Sequence, residues 1–146
     1  MFPKDTEVAK VRDAMFDPFE YLMLRHKEGK LRTDFSRSLG KVAYQVPCHL
    51  RVQNIGLKTR DLLELAPDTE VTPIERCSGH DGTYAVKEEF HDVSKKIARP
   101  VVRKVEGSGA DHFVSDCPMA AEQIGQGLEK LEPRHPLALL RAAYGI

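Results

Sequence analysis

The sequence lacks the features that mark membrane-spanning, exported or nucleic-acid-binding proteins. No apolar run approaches the roughly 20 residues of a membrane-spanning helix. Lysine plus arginine total 22 and aspartate plus glutamate also total 22, so no basic excess is available to bind nucleic acid or an anionic membrane. The first residues contain no apolar stretch of the signal-peptide kind. We therefore expect a cytoplasmic protein that spans no membrane and binds no nucleic acid.

Several motifs of common enzyme classes are also missing. The chain has no Gly-x-Gly-x-x-Gly fingerprint of dinucleotide-binding proteins, no Gly-Lys-Ser/Thr of phosphate-binding loops and no Gly-x-Ser-x-Gly of hydrolases. Cysteine is scarce as well, and its number, three, is odd, so the thiols cannot all pair internally. In a reducing cytoplasm, thiols at loop positions indicate metal binding or redox chemistry. The alternative is that each free cysteine is simply a small buried apolar residue.

The order of apolar and turn-forming residues predicts an α/β fold. Strands are predicted at 41–46, 70–75 and 111–116, and helices separate them. Strands that alternate with helices of this length predict a small, mostly parallel sheet covered by helices, in three layers. This α/β domain covers 41–146, and residues 1–40 are predicted to form an N-terminal helical extension and linker.

The helical segments carry their own boundary signals. Apolar residues at three- and four-residue steps predict a helix over 5–28, which Pro18 kinks or divides in two. A second helix is predicted near 54–66. A third covers 85–97. Pro100 is predicted to break the helical pattern after it, and a separate helical piece follows. Its apolar residues on one side are Val86, Phe90, Val93 and Ile97. Pro118 and Pro136 begin the last two helices.

All three thiols lie just past the end of a predicted strand. Cys48 follows the first strand in a turn imposed by Pro47, Cys77 follows the second, and Cys117 follows the third. The carboxyl edge of an open parallel sheet is where ligands bind, so we expect the three sulfurs to meet there. Pro118 places Cys117 near the N-cap of a helix, where a thiolate is favoured. Thiolate is the form of cysteine that binds metal.

The loop after Cys77 contains the candidate supporting residues. Gly79 and Gly82 allow close approach of backbone N–H groups to a sulfur cluster. A three-thiolate site needs a fourth ligand or an open position, and His80 is the first candidate for that ligand. His49 is the second candidate, and Asp81 and Ser78 are weaker ones. A cysteine hydrolase that pairs Cys117 or Cys77 with His49 or His80 is an alternative.

These same residues carry a resemblance to a known family. The segments Pro47-Cys48-His49, Cys77-Ser78-Gly79, Ser115-Asp116-Cys117-Pro118 and His135-Pro136-Leu137 resemble the cysteine-rich CCG domain of iron–sulfur oxidoreductases. That domain occurs in subunits of heterodisulfide reductase and of anaerobic glycerol-3-phosphate dehydrogenase. The pattern of the family is one cysteine, then Cys-Cys-Gly, then Cys-x-x-Cys. Here Ser78 and Ala120 stand at two of the five cysteine positions, so the match is to a degenerate motif.

The resemblance implies an electron-transfer module that binds an iron–sulfur cluster. Cys48, Cys77 and Cys117 would be ligands, with His80 as a possible fourth, and the cluster would be of the [4Fe-4S] type. The chain matches the C-terminal half of larger family members, which implies that its partner is another redox subunit or a missing N-terminal half with a ferredoxin-like domain. A homo-oligomer is also possible. The alternatives are a zinc-binding module and a cofactor-free scaffold or interaction subunit.

Overall fold

The computed structural model describes residues 5–146, in which helices alternate with the strands of one sheet. We number the elements in chain order. They are α1 (Thr6–Asp13), α2 (Pro18–Lys27), β1 (Gly40–Gln45), α3 (Cys48–Val52), α4 (Lys58–Leu63), β2 (Thr69–Ile74), a 3₁₀ turn (Tyr84–Val86), α5 (Glu88–Glu106), β3 (His112–Ser115), α6 (Pro118–Gly125), β4 (Pro133–Arg134) and α7 (Pro136–Ala143).

The four strands form one parallel sheet in the order β2-β1-β3-β4. In its central strand, Tyr44 is paired with Pro73 of β2 on one side and with Val114 of β3 on the other. Because every pair is parallel, the ends of β1, β2 and β3 lie at the same edge. The predicted α/β class with a small parallel sheet is confirmed.

Helices cover both faces of the sheet, which gives three layers. Alternate residues of β1 point to opposite faces. Val42, Tyr44 and Val46 join a buried cluster with Phe19 of α2 and with leucines of α4 and α7. Ala43 joins a second cluster, with Val101 and Val105 of α5 and Ile124 of α6. The predicted three-layer arrangement is therefore also confirmed, and no helix within residues 5–146 is long and apolar enough to cross a membrane.

Proline has opposite effects at two positions. Pro18 begins α2 as a separate helix, and the Asp17 carboxylate accepts the Phe19 N–H at 2.9 Å, so the N-terminal helix is divided in two. Pro100 was predicted to end a helix, and this prediction is wrong. It lies inside α5 on the exposed side. Buried residues before and after it, among them Ala98 and Val101, hold both halves of α5 against the sheet. Packing of this kind offsets the loss of one helical hydrogen bond.

Three other boundaries differ from the prediction. The helix expected at 54–66 is shorter because Asn54 and Gly56 adopt positive φ angles of 55° and 81°, which a right-handed helix excludes. Cys48 was expected in a turn, but it is the first residue of the short helix α3. The two-residue strand β4 has no period for sequence analysis to detect.

Candidate functional site

The three thiols line one cleft of ≈ 680 Å³ at the carboxyl edge of the sheet. We call it the thiol cleft and define it by Cys48, Cys77 and Cys117. Cys48 and Cys77 are exposed and Cys117 is half-buried, and all three are free thiols. The other predicted site residues, which are Gly79, His80 and Gly82, also line this cleft. The structure therefore brings the whole predicted set to one place.

Cys48 lies at the start of α3, directly after Pro47. Pro47 has the extended φ/ψ of an N-cap (−73°, 156°), so the chain turns from the end of β1 into the helix at this point. The Arg51 guanidinium, one turn further along, donates from Nη2 to Cys48 Sγ at 3.4 Å. A cation therefore accompanies this sulfur on the rim of the cleft.

Cys77 is held by the backbone of its own loop. The Gly79 N–H donates to Cys77 Sγ at 3.4 Å. Gly79 has a φ of 77°, and a Cβ at this residue would lie 2.4 Å from the carbonyl oxygen of Ser94 in α5. Only glycine fits both the backbone angle and this close approach. Gly79 therefore presses the Cys77 loop against α5.

Cys117 is the N-cap of α6, as the sequence predicts. Pro118 occupies the first position of the helix, and the carbonyl of Cys117 accepts the Ala121 N–H at 2.9 Å. The Cys117 N–H donates to Ser115 Oγ at 3.3 Å. The thiol is therefore located at the positive end of a helix dipole and on a backbone that is fixed from both sides.

One buried side chain connects the ends of all three strands. Gln45, the last residue of β1, is 1% exposed. Its Nε2 donates to the carbonyl of Arg76, next to Cys77, at 3.0 Å. Its Oε1 accepts from Ser115 Oγ at 2.7 Å, and Ser115 in turn accepts the Cys117 N–H. Gln45 thereby fixes the spacing between the loops that carry the thiols.

A second buried chain of hydrogen bonds connects α6 to the loop of Cys77. Gln123 Nε2 of α6 donates to Ser94 Oγ at 2.7 Å, and Ser94 Oγ donates to the carbonyl of Gly79 at 2.6 Å. Ser94 is 0% exposed and Gln123 is 4% exposed. Because α6 begins at Cys117, this chain couples the position of Cys117 to that of the loop around Cys77.

His80 contributes an imidazole with an unused nitrogen. Its Nε2 is buried and has no hydrogen-bond partner within residues 5–146. An orphaned buried polar atom is costly, so it suggests a partner that the chain itself does not supply. The other candidate ligands, His49, Ser78 and Asp81, line the cleft too.

Asp116 supports the cleft from behind rather than lining it. Its carboxylate accepts from Tyr44 Oη at 2.5 Å and from Thr59 Oγ1 at 2.8 Å. Burial raises the pKa of the Asp116 carboxyl and also that of the Tyr44 hydroxyl. These bonds fix the end of β3 immediately before Cys117.

The donors of the thiol cleft do not form a preassembled site for one metal ion. Within the described part of the chain, no three His, Cys, Asp or Glu side chains are gathered closely enough to hold one metal ion. Zinc with Zn–S bonds of about 2.3 Å needs sulfurs only about 4 Å apart, and that grouping is absent among the described residues.

Ser78 and Ala120 occupy two further positions on the wall of the cleft. They are 8% and 5% exposed, so both are buried. Neither side chain supplies a thiolate. The donors of the cleft therefore fit a group that takes three cysteine ligands, and they do not fit a five-thiolate group.

Sequence analysis missed the residues that hold the thiols in place. Gln45, Ser94 and Gln123 are not singled out by the sequence, and Ser115 stands out only as part of the segment that carries the family resemblance. Gln45 carried a detectable signal, because it is a polar residue in an otherwise apolar strand end, Val42-Ala43-Tyr44-Gln45-Val46. Ser94 and Gln123 carried none, since polar residues on a helix usually face solvent.

Comparison with known proteins supplies a second line of information. The model of the CCG family, described as a cysteine-rich domain, matches residues 42–124. The chain is 38% identical over 104 residues to a subunit of anaerobic glycerol-3-phosphate dehydrogenase from Escherichia coli strain K12, and equally to the protein of the same name from Escherichia coli O157:H7. Each match covers 70% of this chain and 26% of the relative. The chain thus matches about a quarter of the length of these curated relatives.

Proposed function

Because the chain belongs to the CCG cysteine-rich domain family, we propose that it is an iron–sulfur module that transfers electrons within an oxidoreductase. The observation that supports this proposal is the convergence of Cys48, Cys77 and Cys117 on one cleft. Relatives named as a subunit of an anaerobic dehydrogenase point to the same class of protein.

In this proposal Cys48, Cys77 and Cys117 hold the cluster as thiolates. The orphaned Nε2 of His80 is the candidate fourth ligand. Because Ser78 and Ala120 replace two cysteines of the family pattern, we propose a [4Fe-4S] cluster with three cysteine ligands instead of a five-thiolate cluster. A bound iron–sulfur cluster would supply reversible one-electron transfer.

The chain's own residues would set the environment of the cluster. The Gly79 N–H already points at Cys77 Sγ, and N–H donors to sulfur raise the reduction potential of iron–sulfur centres. The Arg51 guanidinium beside Cys48 adds a positive charge, which favours the reduced state in the same way. Gln45 keeps the thiol loops at a fixed separation, so little rearrangement accompanies electron transfer.

The module would work with further protein. The relatives are about four times as long as the matched segment, so we propose that a second redox subunit, or a longer half with a ferredoxin-like domain, exchanges electrons with this one. A reducing cytoplasm would keep the exposed thiols of Cys48 and Cys77 available for cluster assembly.

The second candidate is a cofactor-free scaffold within the same type of complex. One observation favours it: the buried polar side chains Gln45, Ser94, Ser115 and Gln123 satisfy one another without any bound group. A zinc-binding module is less favoured, because the donors would have to move together to bind one ion.

Anaerobic reconstitution with iron and sulfide tests the proposal. We expect a brown protein with stoichiometric iron and sulfide, visible absorption and little zinc. Cys117→Ser should lose most of the iron and the absorption, because one of three thiolate ligands is gone. Met119→Ser, at an exposed residue near Cys117 that does not line the cleft, is the control and should keep both.

A colourless, metal-free protein that remains folded would support the scaffold instead. A colourless protein with stoichiometric zinc would support the zinc-binding module. Unchanged absorption in Cys117→Ser would remove this residue from the ligand set.

A further inference from the structure

Helix α5 carries two apolar stripes, and only one of them is buried. The buried stripe, Ala98, Val101 and Val105, faces the sheet. The second stripe faces solvent and is only partly covered within residues 5–146. It begins in the preceding 3₁₀ turn, and its members with their exposed fractions are Val86 (66%), Phe90 (37%), Val93 (40%) and Ile97 (43%). We call it the α5 stripe.

The α5 stripe is continuous with the rim of the thiol cleft. Tyr84 and Ile97 both line the cleft. The Tyr84 ring stacks on the Phe90 ring, with centroids 4.8 Å apart and an interplanar angle of 9°. A contiguous apolar surface therefore runs from the cleft along the helix, and such surfaces on soluble proteins often mark an interface.

The charges along α5 change sign at the middle of the stripe. The first half carries Glu88, Glu89 and Asp92, and the second half carries Lys95, Lys96 and Arg99. A helix turns by about 100° per residue, so Glu89 and Lys96 lie on the same side of the α5 stripe, the side away from the buried stripe. The two residues lie at nearly the same angle from the middle of the α5 stripe. Both are exposed, and neither has a salt bridge partner in the described part of the chain.

We propose that the α5 stripe is covered by the same stripe of a second copy of this chain, with the two helices antiparallel. A two-fold axis between His91 and Asp92 places Phe90 opposite Val93 of the second copy, and it directs the turn that carries Val86 toward the Ile97 end of the partner helix. With this axis, Glu89 and Lys96 of the second copy are offset along the helices by about 3 Å of helix rise, which is within reach of their side chains. A two-fold interface must be self-complementary, and this surface is so in both its apolar residues and its charges.

The order of charges along α5 also has an explanation that involves no dimer. Acidic residues near the start of a helix and basic residues near its end stabilise the helix through its dipole. That explanation requires no partner and leaves the mass of the protein unchanged by substitutions on the stripe. The dimer, in contrast, depends on the stripe and on the pairing of Glu89 with Lys96.

Sedimentation velocity over a concentration series tests the proposal. The buffer contains a reducing agent, because exposed Cys48 and Cys77 would otherwise form disulfides between chains. We expect the mass to rise from one chain to two with concentration. Val93→Glu should leave a monomer at the concentrations where the unmodified protein is dimeric. Val52→Glu, at a residue that is 86% exposed in α3, should still form dimers.

A charge-reversal cycle tests the pairing itself. Each of Glu89→Lys and Lys96→Glu should weaken the dimer about tenfold, since each creates two like-charge contacts across the axis. The double variant should regain the original affinity. Circular dichroism checks that every variant is folded, and Phe90→Glu serves as a second substitution on the stripe if Val93→Glu fails to fold.

Three results would overturn the proposal. The first is a protein that stays monomeric up to its solubility limit. The second is a dimer that survives substitution of the stripe. The third is a double charge variant that binds no more tightly than the single variants. Because Ile97 of the stripe also lines the thiol cleft, the series is run on the metal-free protein, so that failure of the dimer is distinguishable from failure of cluster binding.

Discussion

At the scale of single residues, Gln45 is the side chain that relates the three thiols to one another. It is the only residue in the described part of the chain whose side chain bonds to the ends of both neighbouring strands, through Arg76 and Ser115. A glutamine amide has a donor and an acceptor at its tip, so it joins a carbonyl on one side and a hydroxyl on the other. No apolar side chain of the same size can do both.

We expect Gln45→Met to lower the free energy of unfolding by about 2 kcal/mol, because the buried Ser115 hydroxyl loses its acceptor and the Arg76 carbonyl loses its donor. It should also reduce the iron bound after reconstitution, since the loops of Cys77 and Cys117 lose their fixed spacing. Urea unfolding and iron analysis measure the two effects. Gln126→Met, at a glutamine outside the cleft, is the control and should change neither. Full stability in Gln45→Met would contradict this role.

The thiols could be predicted from the sequence and their supports only in part. Each cysteine follows a strand, and the parallel arrangement of the strands brings such residues to one edge. The hydrogen-bond partners of Gln45 belong to segments 31 and 70 residues away. Such distant pairs have no local signal, and only the folded sheet reveals them.

At the scale of elements, the loop after β2 depends on glycine in two different ways. Gly79 and Gly82 have similar φ angles, 77° and 59°. A Cβ at Gly79 would collide with the backbone of Ser94, whereas a Cβ at Gly82 would meet nothing within 4 Å. The first glycine is required by packing and by the backbone angle, and the second by the backbone angle alone.

Gly82→Ala should therefore cost about 1 kcal/mol of stability, the penalty for an L-residue in the left-handed region. Gly79→Ala should cost that amount plus about 1–3 kcal/mol more, because α5 or the loop must shift to relieve the contact. Thermal unfolding of the two variants and the unmodified protein measures the difference. Equal destabilisation by the two substitutions would mean that the loop moves away from α5 at Gly79 without a cost in stability.

Helix α5 shows why an element boundary is hard to predict. Proline predicts a break because it lacks an N–H and clashes with the preceding turn. Whether the helix ends at the proline depends on how much apolar burial the residues after it gain when the helix continues. In α5 the buried Val101 and Val105 pack against the sheet, and this burial favours the continuous helix. The sequence shows the proline but not the packing surface.

At the scale of the whole molecule, the N-terminal segment is part of the core. Phe19 of α2 is 1% exposed and lies in the same cluster as Val42 and Tyr44 of β1. The sequence predicts residues 1–40 as an extension of the domain, and the family match begins at residue 42. A segment outside the match thus completes one face of the sheet.

We expect Phe19→Ala to lower the free energy of unfolding by about 3–5 kcal/mol, because it opens a cavity beneath the sheet. Phe16→Ala removes an aromatic ring that is 44% exposed and should cost less than about 0.5 kcal/mol. Urea denaturation of both variants gives the comparison. A small effect of Phe19→Ala would mean that the domain folds without α2.

The class and layering of the fold follow from the rhythm of the sequence, because strands and helices of these lengths have few ways to bury their apolar faces. The position of β4 does not follow, since two residues carry no pattern. The exposure of the α5 stripe does not follow from the sequence either, because its apolar residues have the same helical spacing as those of a buried face. The structure shows which of the two stripes on α5 is buried, and the sequence does not.

The margins of the sheet limit how this protein meets other chains. The carbonyl of Ile74 in β2 accepts the Val46 N–H, so the backbone groups of Ile74 point toward β1. Those of the adjacent Pro73 therefore point to the outer margin of the sheet, where its ring nitrogen has no hydrogen to donate. The opposite margin is β4, two residues long and begun by Pro133. Neither margin offers a full ladder of donors for an added strand. Assembly by sheet extension is therefore disfavoured, which leaves helical surfaces and the mouth of the thiol cleft as the places where another chain can dock.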